Sequence, residues 1–550
     1  MVALATPGKT AHYVGNWTVN LSGTSSSAPL TIEPALSVSN PVLDGNFGKG
    51  SGCGTAACNG PVLTVGTPTG QLNAAETAAP PQAGTPSLNV FLHLQGITVE
   101  DANSGPNGST GGEAGAVMIS RGAHLAVKNS LFLHNHASDG GAIDNALAGT
   151  VTVTNSRLEA NTATYGGGAI NNATHGSGTL AVSGSTFSHN SANAGGAIEN
   201  AWEGVGTTAV TNSTFLYNAA VVAVPSPGAI TEGGAIDDGT RGTTALTVTG
   251  STFVGNVVKN ETERGVGGGG AIDIADGGAN SASYSVSGST FIANSAHYGG
   301  AINVGKATGT VARSTFSANS AAYGGALANS ITQGLGSLTV SASTFSANRA
   351  SGNGGAINNA EGTGPGTLTV SASTFWGNAA LGKDNTSGVD SNVTNGDGGA
   401  IDNADNGGIG TAVVSASTFS GNVAKHAGGT VANDGTLFAA ADIFNGSCYE
   451  SSSQTEWADQ GYNVGANGTC LNGGTADVSH GAGRLDPLAR RGGPAKTMRP
   501  LAASPAVGIV PLNTAVMLNG DPAMLCPTTD QRGVPSAAGK ACNAGAVQAT

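Results

Sequence analysis

Apolar residues in this chain come in runs of two or three, broken by glycine and by Ser, Thr and Asn. From Phe132 onward three short motifs alternate. One is Leu-Thr-Val or a variant, at Val151–Val153, Leu180–Val182, Leu246–Val248, Leu338–Val340 and Leu368–Val370. The next is F-x-x-N, from Phe132/Asn135 through Phe187/Asn190 to Phe419/Asn422, with Leu158/Asn161 a variant. The last is G-G-A-I, starting at Gly140, Gly167, Gly195, Gly233, Gly269, Gly299, Gly354 and Gly398, with Leu327 for Ile after Gly324 and G-G-T-V at Gly428. β-Branched runs this short have no 3.6-residue period. Three strand-like segments in each period of roughly 25–30 residues predict an all-β fold, a three-sided parallel β-solenoid of about twelve coils.

Parity gives directions. Leu338 and Val340 share a parity that Phe345 lacks, so a corner must separate them if all three point inward. Ile143 pointing inward places Asp144 outward, and Asn145 inward at a corner. Its counterparts Asn172, Asn200, Asn359 and Asn403 fall on the same column, where amides bond up and down a stack. The Phe column supplies most of the bulky core. Thr186, Thr214, Thr252, Thr290, Thr315, Thr344, Thr374 and Thr418 precede it and form an outward file.

The repeats occupy 89–446. Residues 1–88 read as an N-terminal cap with irregular first coils, and 447–550 as a C-terminal cap. Composition agrees with a repetitive fold: 89 of 550 residues are Gly, 39% are hydrophobic and 10% are charged. Glycine does not fall at every third position, which excludes collagen. A net charge of −13 disfavours nucleic acid. No apolar run approaches transmembrane length, and MVALATPGKTAHY lacks the features of a secretory signal. The six cysteines form three local pairs, Cys53/Cys58, Cys448/Cys470 and Cys526/Cys542, all outside the repeats. Disulfides in an oxidising, extracellular or cell-surface setting are expected. Zinc is disfavoured, because no C-x-x-C pair occurs.

Paired G-G-A-I and F-x-x-N repeats over about residues 110–435 resemble those of chlamydial polymorphic outer-membrane proteins. That resemblance implies a right-handed β-helix of the pectin-lyase-like class. The membrane β-barrel that ends those proteins has no counterpart here. Gly461-Tyr-Asn-Val464, Leu485-Asp-Pro-Leu488, Ser504-Pro-Ala506 and Asp530-Gln-Arg-Gly533 resemble the C-terminal segment of choice-of-anchor Q surface proteins. They depart from it after Ser-Pro-Ala, where that family tends to have Ile-Asp.

Candidate chemistry sits where the repeats deviate. Most coils have eight or nine residues between the Phe column and G-G, but Phe215–Gly233, Phe253–Gly269 and Phe375–Gly398 are longer. The extra residues project from one edge, where solenoids often place binding surface. Two of these loops adjoin Glu199, Asp237 and Asp273, which follow Ile in three successive coils. Carboxylates stacked about 4.8 Å apart want a cation between them or a raised pKa. A calcium site, a glycosidase carboxylate pair and a solvated acidic stripe all fit. Asp238 falls on the Asn column and replaces a ladder amide. Glu232, Glu261, Glu263 and Arg264 lie on the loops as candidate ligand contacts, and Asp397, Asp402 and Asp405 form a second acidic knot. His134 and His189 share a column two coils apart, roughly 10 Å, too far to share a metal. Lys and Arg do not cluster within the repeats, which counts against a polyuronate lyase. The sequence therefore favours a monomeric, adhesin-like surface protein binding a glycan or protein along its long face. The alternatives are a polysaccharide hydrolase or lyase acting through Glu199, Asp237 and Asp273, and lattice binding through the threonine file.

Overall fold

The computed structural model describes residues 2–4, 12–14, 17–19, 29–34, 42–44, 63–65, 90–103, 115–145, 147–222, 231–239, 241–259, 267–275, 281–330, 334–362, 364–382, 396–405, 408–451, 456–481 and 483–548. Two compact units divide the chain, residues 1–267 with 271–282, and residues 268–270 with 283–550. Both are parallel β-solenoids. Among the described residues no helix is long and apolar enough to cross a membrane.

In the first unit the Leu-Thr-Val segments build one parallel sheet, running through His124–Lys128, Thr150–Thr154, Ser177–Ser183, Val205–Thr211 and Thr243–Thr249. The Phe segments build a second, through Leu131–Leu133, Arg157–Glu159, Thr186–Ser188, Thr214–Leu216 and Thr252–Val254. The Ile segments build a third, through Ile143–Asn145, Ile170–Asn172, Ile198–Asn200, Ile236–Asp238 and Ile272–Ile274. Pairing is strictly repeat on repeat: Phe187 lies opposite Phe215, and Phe215 opposite Phe253. Their rings stack at 4.8 and 4.7 Å. The three-strand expectation misses one element. A short fourth ladder follows each F-x-x-N, as at Thr162–Ala163, Ser191–Ala192 and Ala219–Val221. Coils begin early as well. Val2–Leu4 pairs with the strand Leu30–Pro34, His12–Val14 with Val42–Asp44, and Trp17–Val19 with Leu63–Val65.

The second unit repeats this plan. Phe291, Phe316, Phe345, Phe375, Phe419 and Phe444 stack at 4.7 to 5.3 Å. Its ladders continue past residue 446, through Cys448–Glu450, Glu456–Asp459, Val464–Gly465 and Val478–Ser479. The Cys448–Cys470 and Cys526–Cys542 disulfides are formed, and the cap carries two antiparallel hairpins. The expected Cys53–Cys58 pair lies outside the described residues.

The cap does more than follow the last coil. It folds back along the Phe sheet of its own unit. Thr344 donates to the Lys496 carbonyl at 2.6 Å, Gln531 donates to the Ser343 carbonyl at 2.9 Å, and the Ala546 amide donates to Thr418 Oγ1 at 2.9 Å. Thr344, Thr374 and Thr418 are consequently buried, while Thr186, Thr214, Thr252, Thr290 and Thr315 stay half-exposed. The threonine file therefore points out of every coil, as parity requires, but is not an open array along its whole length.

The G-G motif has two separate causes. The first glycine takes a left-handed conformation, φ +58° at Gly195, which side chains rarely adopt. The second has no room for a side chain: a Cβ on Gly196 would lie 2.3 Å from the Gly234 carbonyl oxygen of the next coil. The sharp reversal is thus available only to this pair, and it decides what faces the neighbouring strand.

Candidate cation site in the buried acidic file

The residue before G-G and the residue after Ile are brought together by that reversal. Gly166 and Ala194 bridge in parallel, as do Ala194 and Glu232. This row runs alongside the outer face of the Ile sheet. A Cβ on Gly166 would fall 1.3 Å from Glu199 Oε2, so the glutamate carboxylate lies directly over that glycine. The outward file of the Ile strand is therefore covered. Glu199 is 2% exposed, and Asn171, Asp237 and Asp273 are 0%. The solvent-facing position expected for Glu199 is overturned: parity placed it outside the coil correctly, but the G-G corner folds the preceding segment over it.

The file is in register, Asn171 opposite Glu199, Glu199 opposite Asp237, and Asp237 opposite Asp273. Glu232 enters from the covering row. One carboxylate oxygen from each of Glu232, Asp237 and Asp273 lies within 4.8 Å of the other two. Among the described residues this is the one group of three or more His, Cys, Asp or Glu that meets such a limit. Burial pushes the Glu199 carboxyl well above the usual carboxylate range, and the negative charges of Asp237, Asp139, Glu232 and Asp144 push it further. All four of these charged groups are themselves acids.

Asp238 behaves differently from its neighbour Asp237. It stands in the Asn column, accepts from Asn200 Nδ2 at 2.6 Å and from Thr244 Oγ1 at 2.9 Å, and ends that ladder against Ile274. Burial raises its pKa to about 7, against the lowering effect of those two bonds. The ladder expected at Asn145, Asn172 and Asn200 is present, each amide donating to the next at 2.7 and 2.8 Å.

Comparison of the chain with protein-family models, with curated proteins and with solved structures finds no match. The candidate site is therefore defined by its own residues.

Of the second acidic knot, the described residues include the side chains of Asp397 and Asp402. Asp397 accepts from the Ala427 amide at 2.8 Å and contacts His426 Nδ1 at 2.8 Å, and Asp402 accepts from Asn358 Nδ2 at 3.2 Å. The side chain of Asp405, and all of Glu261, Glu263 and Arg264, lie outside the described residues, as do 223–230 and 383–395 of the long loops. His134 is exposed, with Asp101 at 3.9 Å.

Several structural residues escape a reading of the motifs alone. The Asn of F-x-x-N forms a second buried ladder, from Asn135 through Asn161, Asn190 and Asn218 to Asn256, with amide contacts of 2.9 to 3.0 Å. Ser130, Ser156, Ser185, Ser213 and Ser251 form a third file, in which each Oγ accepts the amide of the serine one coil earlier. The signal for both was their fixed offset from Phe. Asn171 was detectable only once the G-G corner was known to close over the Ile strand, and Glu232, a candidate from its loop position, is placed beside Asp237 and Asp273 by the same closure.

Proposed function

We propose that this is an extracellular or surface-exposed β-helix protein that binds a glycan along a corner of its solenoid. One observation carries the proposal. At the corner after the Phe strand, Tyr217 is 55% exposed and adopts φ 54°. Its ring lies across Gly255 of the next coil, where a Cβ would meet Tyr217 Cδ1 at 2.6 Å, and packs on His189 of the previous coil at 5.5 Å. An exposed ring laid along successive coils offers a face on which the apolar side of a sugar can stack. Two disulfides suit an oxidising compartment. The repeat resemblance to chlamydial polymorphic outer-membrane proteins favours a surface role, with an adhesin-like protein partner as the other form of it.

The test is binding of the full chain to a broad glycan panel. Tyr217→Ala and His189→Ala should weaken a detected ligand roughly tenfold, as expected for losing a stacking contact, with unfolding unchanged. Binding that survives both substitutions would sink the proposal.

A second reading is a polysaccharide hydrolase acting through Glu199, Asp237 and Asp273. What favours it is the raised pKa of Glu199 beside other carboxylates, an environment suited to a general acid. What stands against it is burial of all three. Release of reducing ends, abolished by Glu199→Gln, would establish it.

A further inference from the structure

We propose that a basic hairpin in the C-terminal cap of the second unit binds an acidic polysaccharide. Charge is unevenly placed along this chain. Its net charge is −13, yet residues 478–520 hold five Lys and Arg side chains, Arg484, Arg490, Arg491, Lys496 and Arg499, against a single acid, Asp486. The fold gathers them on two antiparallel segments. Ala489–Arg490 pairs with Lys496–Thr497, and Leu485 bridges Pro500. The inner side of this hairpin is anchored: Ala495, Thr497 and Met498 are buried, and the Lys496 carbonyl accepts from Thr344. Its outer side leaves Arg484, Arg490, Lys496 and Arg499 exposed.

A second observation is how these charges are paired. Arg490 stands directly opposite Lys496. Like charges across a ladder destabilise it, so the hairpin carries this pair at a cost that an anion would relieve. Arg484, Arg490 and Lys496 form no ion pair among the described residues. Asp486 is buried and orients the other two guanidinium groups, with Arg491 Nη2 at 2.9 Å and Arg499 Nε at 3.5 Å from its Oδ2. Its Oδ1 accepts the Arg499 amide at 2.7 Å. Arg499 thus turns Nε toward Asp486 and keeps its two Nη groups, the end of the fork that grips an oxyanion in two places. The kind of polyanion follows from what surrounds these groups. Residues 478–520 contain no Phe, Tyr or Trp on which a base could stack or which could anchor at a lipid interface. The acidic remainder of the chain repels the dense charge of a nucleic-acid duplex. An acidic polysaccharide carries its sulfate or carboxylate groups further apart, one sugar at a time, and suits the oxidising setting of the two disulfides. This face belongs to the second unit and does not rest on the reading of Tyr217.

The experiment measures binding of the full chain to heparin and to polygalacturonate at about 50 mM salt, with neutral dextran, double-stranded DNA and anionic lipid vesicles in parallel. At least one of the two acidic polysaccharides should bind, and the choice between them tells sulfate from carboxylate. Raising salt to about 500 mM should weaken that binding tenfold or more. Arg490→Ala and Lys496→Ala together should also weaken it roughly tenfold or more. Their melting midpoint should be unchanged or higher, because a like-charge pair is removed. Tyr217→Ala should leave this binding unchanged, which separates it from any ligand of the first unit. Failure of both acidic polysaccharides to bind overturns the proposal. So does binding that the double substitution leaves intact. Dextran, DNA or vesicles bound as tightly as the better polysaccharide would assign the face to a different partner and also overturn it.

Discussion

Two buried polar files run side by side on the Ile sheet of the first unit, one residue apart in sequence. Asn145, Asn172 and Asn200 face inward, and each passes a hydrogen bond to the next coil. Asn171, Glu199, Asp237 and Asp273 face outward beneath the G-G corner. An amide carries both donor and acceptor, so a stack of amides satisfies itself over any number of coils. An ionised carboxylate only accepts. A stack of carboxylates must recruit protons or a cation, or repel itself. Equal burial thus has opposite consequences: the amide file satisfies itself, and the acid file depends on what it is paired with.

The comparison can be broken most severely from the scaffold side. Asn218 of the F-x-x-N ladder donates to Asn256 and to the Phe187 carbonyl, and accepts from the amide and side chain of Asn190. Asn218→Leu strands several buried partners at once. A loss of about 3 kcal/mol or more is expected in denaturant unfolding. A loss below about 1 kcal/mol would mean that the ladder is incidental to stability.

Asp238 tests the boundary between the two files, since it is an acid standing in an amide's place. Its folded pKa of about 7 exceeds that of the unfolded chain. The folded state therefore binds the proton more tightly, and stability from this group is full below the unfolded pKa. It declines as pH rises from about 4 to about 7. Asp238→Asn keeps an acceptor for Asn200, lets the new amide donate to the Thr244 hydroxyl instead of accepting from it, and removes that decline. Wild type and variant should converge near pH 4 and separate in the variant's favour by a few kcal/mol above pH 7. A constant difference across this range would contradict the assignment.

The flank of the Phe sheet provides the mildest comparison. Thr344 is buried under the cap and bonded to Lys496, whereas Thr214 is half-exposed. Thr344→Ala should cost about 1 kcal/mol, and Thr214→Ala within about 0.5 kcal/mol. Equal losses would show that the cap adds nothing at this face.

Much of this architecture was legible in the chain. Leu338, Val340 and Phe345 have the parity of a turned coil, and the recurrence of Phe and Asn at fixed offsets foretold in-register columns. Asp238 was recognisable as a substituted ladder residue. What parity could not reveal is cover. It assigns Glu199 and Thr344 to the outside of a coil without saying whether another segment lies on top. For Glu199 the cover comes from the row before G-G in its own and neighbouring coils. For Thr344 it comes from a segment about 150 residues later, through Lys496. The contact over Thr344 has no period and leaves no mark in the repeat; the row over Glu199 recurs with G-G, but parity alone does not say which way that corner folds. The partner of the exposed Tyr217 face is unreadable for a related reason: stacking surfaces recognise a class of ligand through shape, not through a motif.

The central claim, that ionising the buried acid file destabilises the fold whereas the amide file carries no such cost, is tested most directly by thermal unfolding of the full chain and of Glu199→Gln between about pH 5 and about pH 8. The Glu199 pKa is raised in the folded chain, so the account predicts that the wild-type midpoint falls as pH rises across this range and that the variant's midpoint falls less. Parallel pH profiles for the two chains would contradict it.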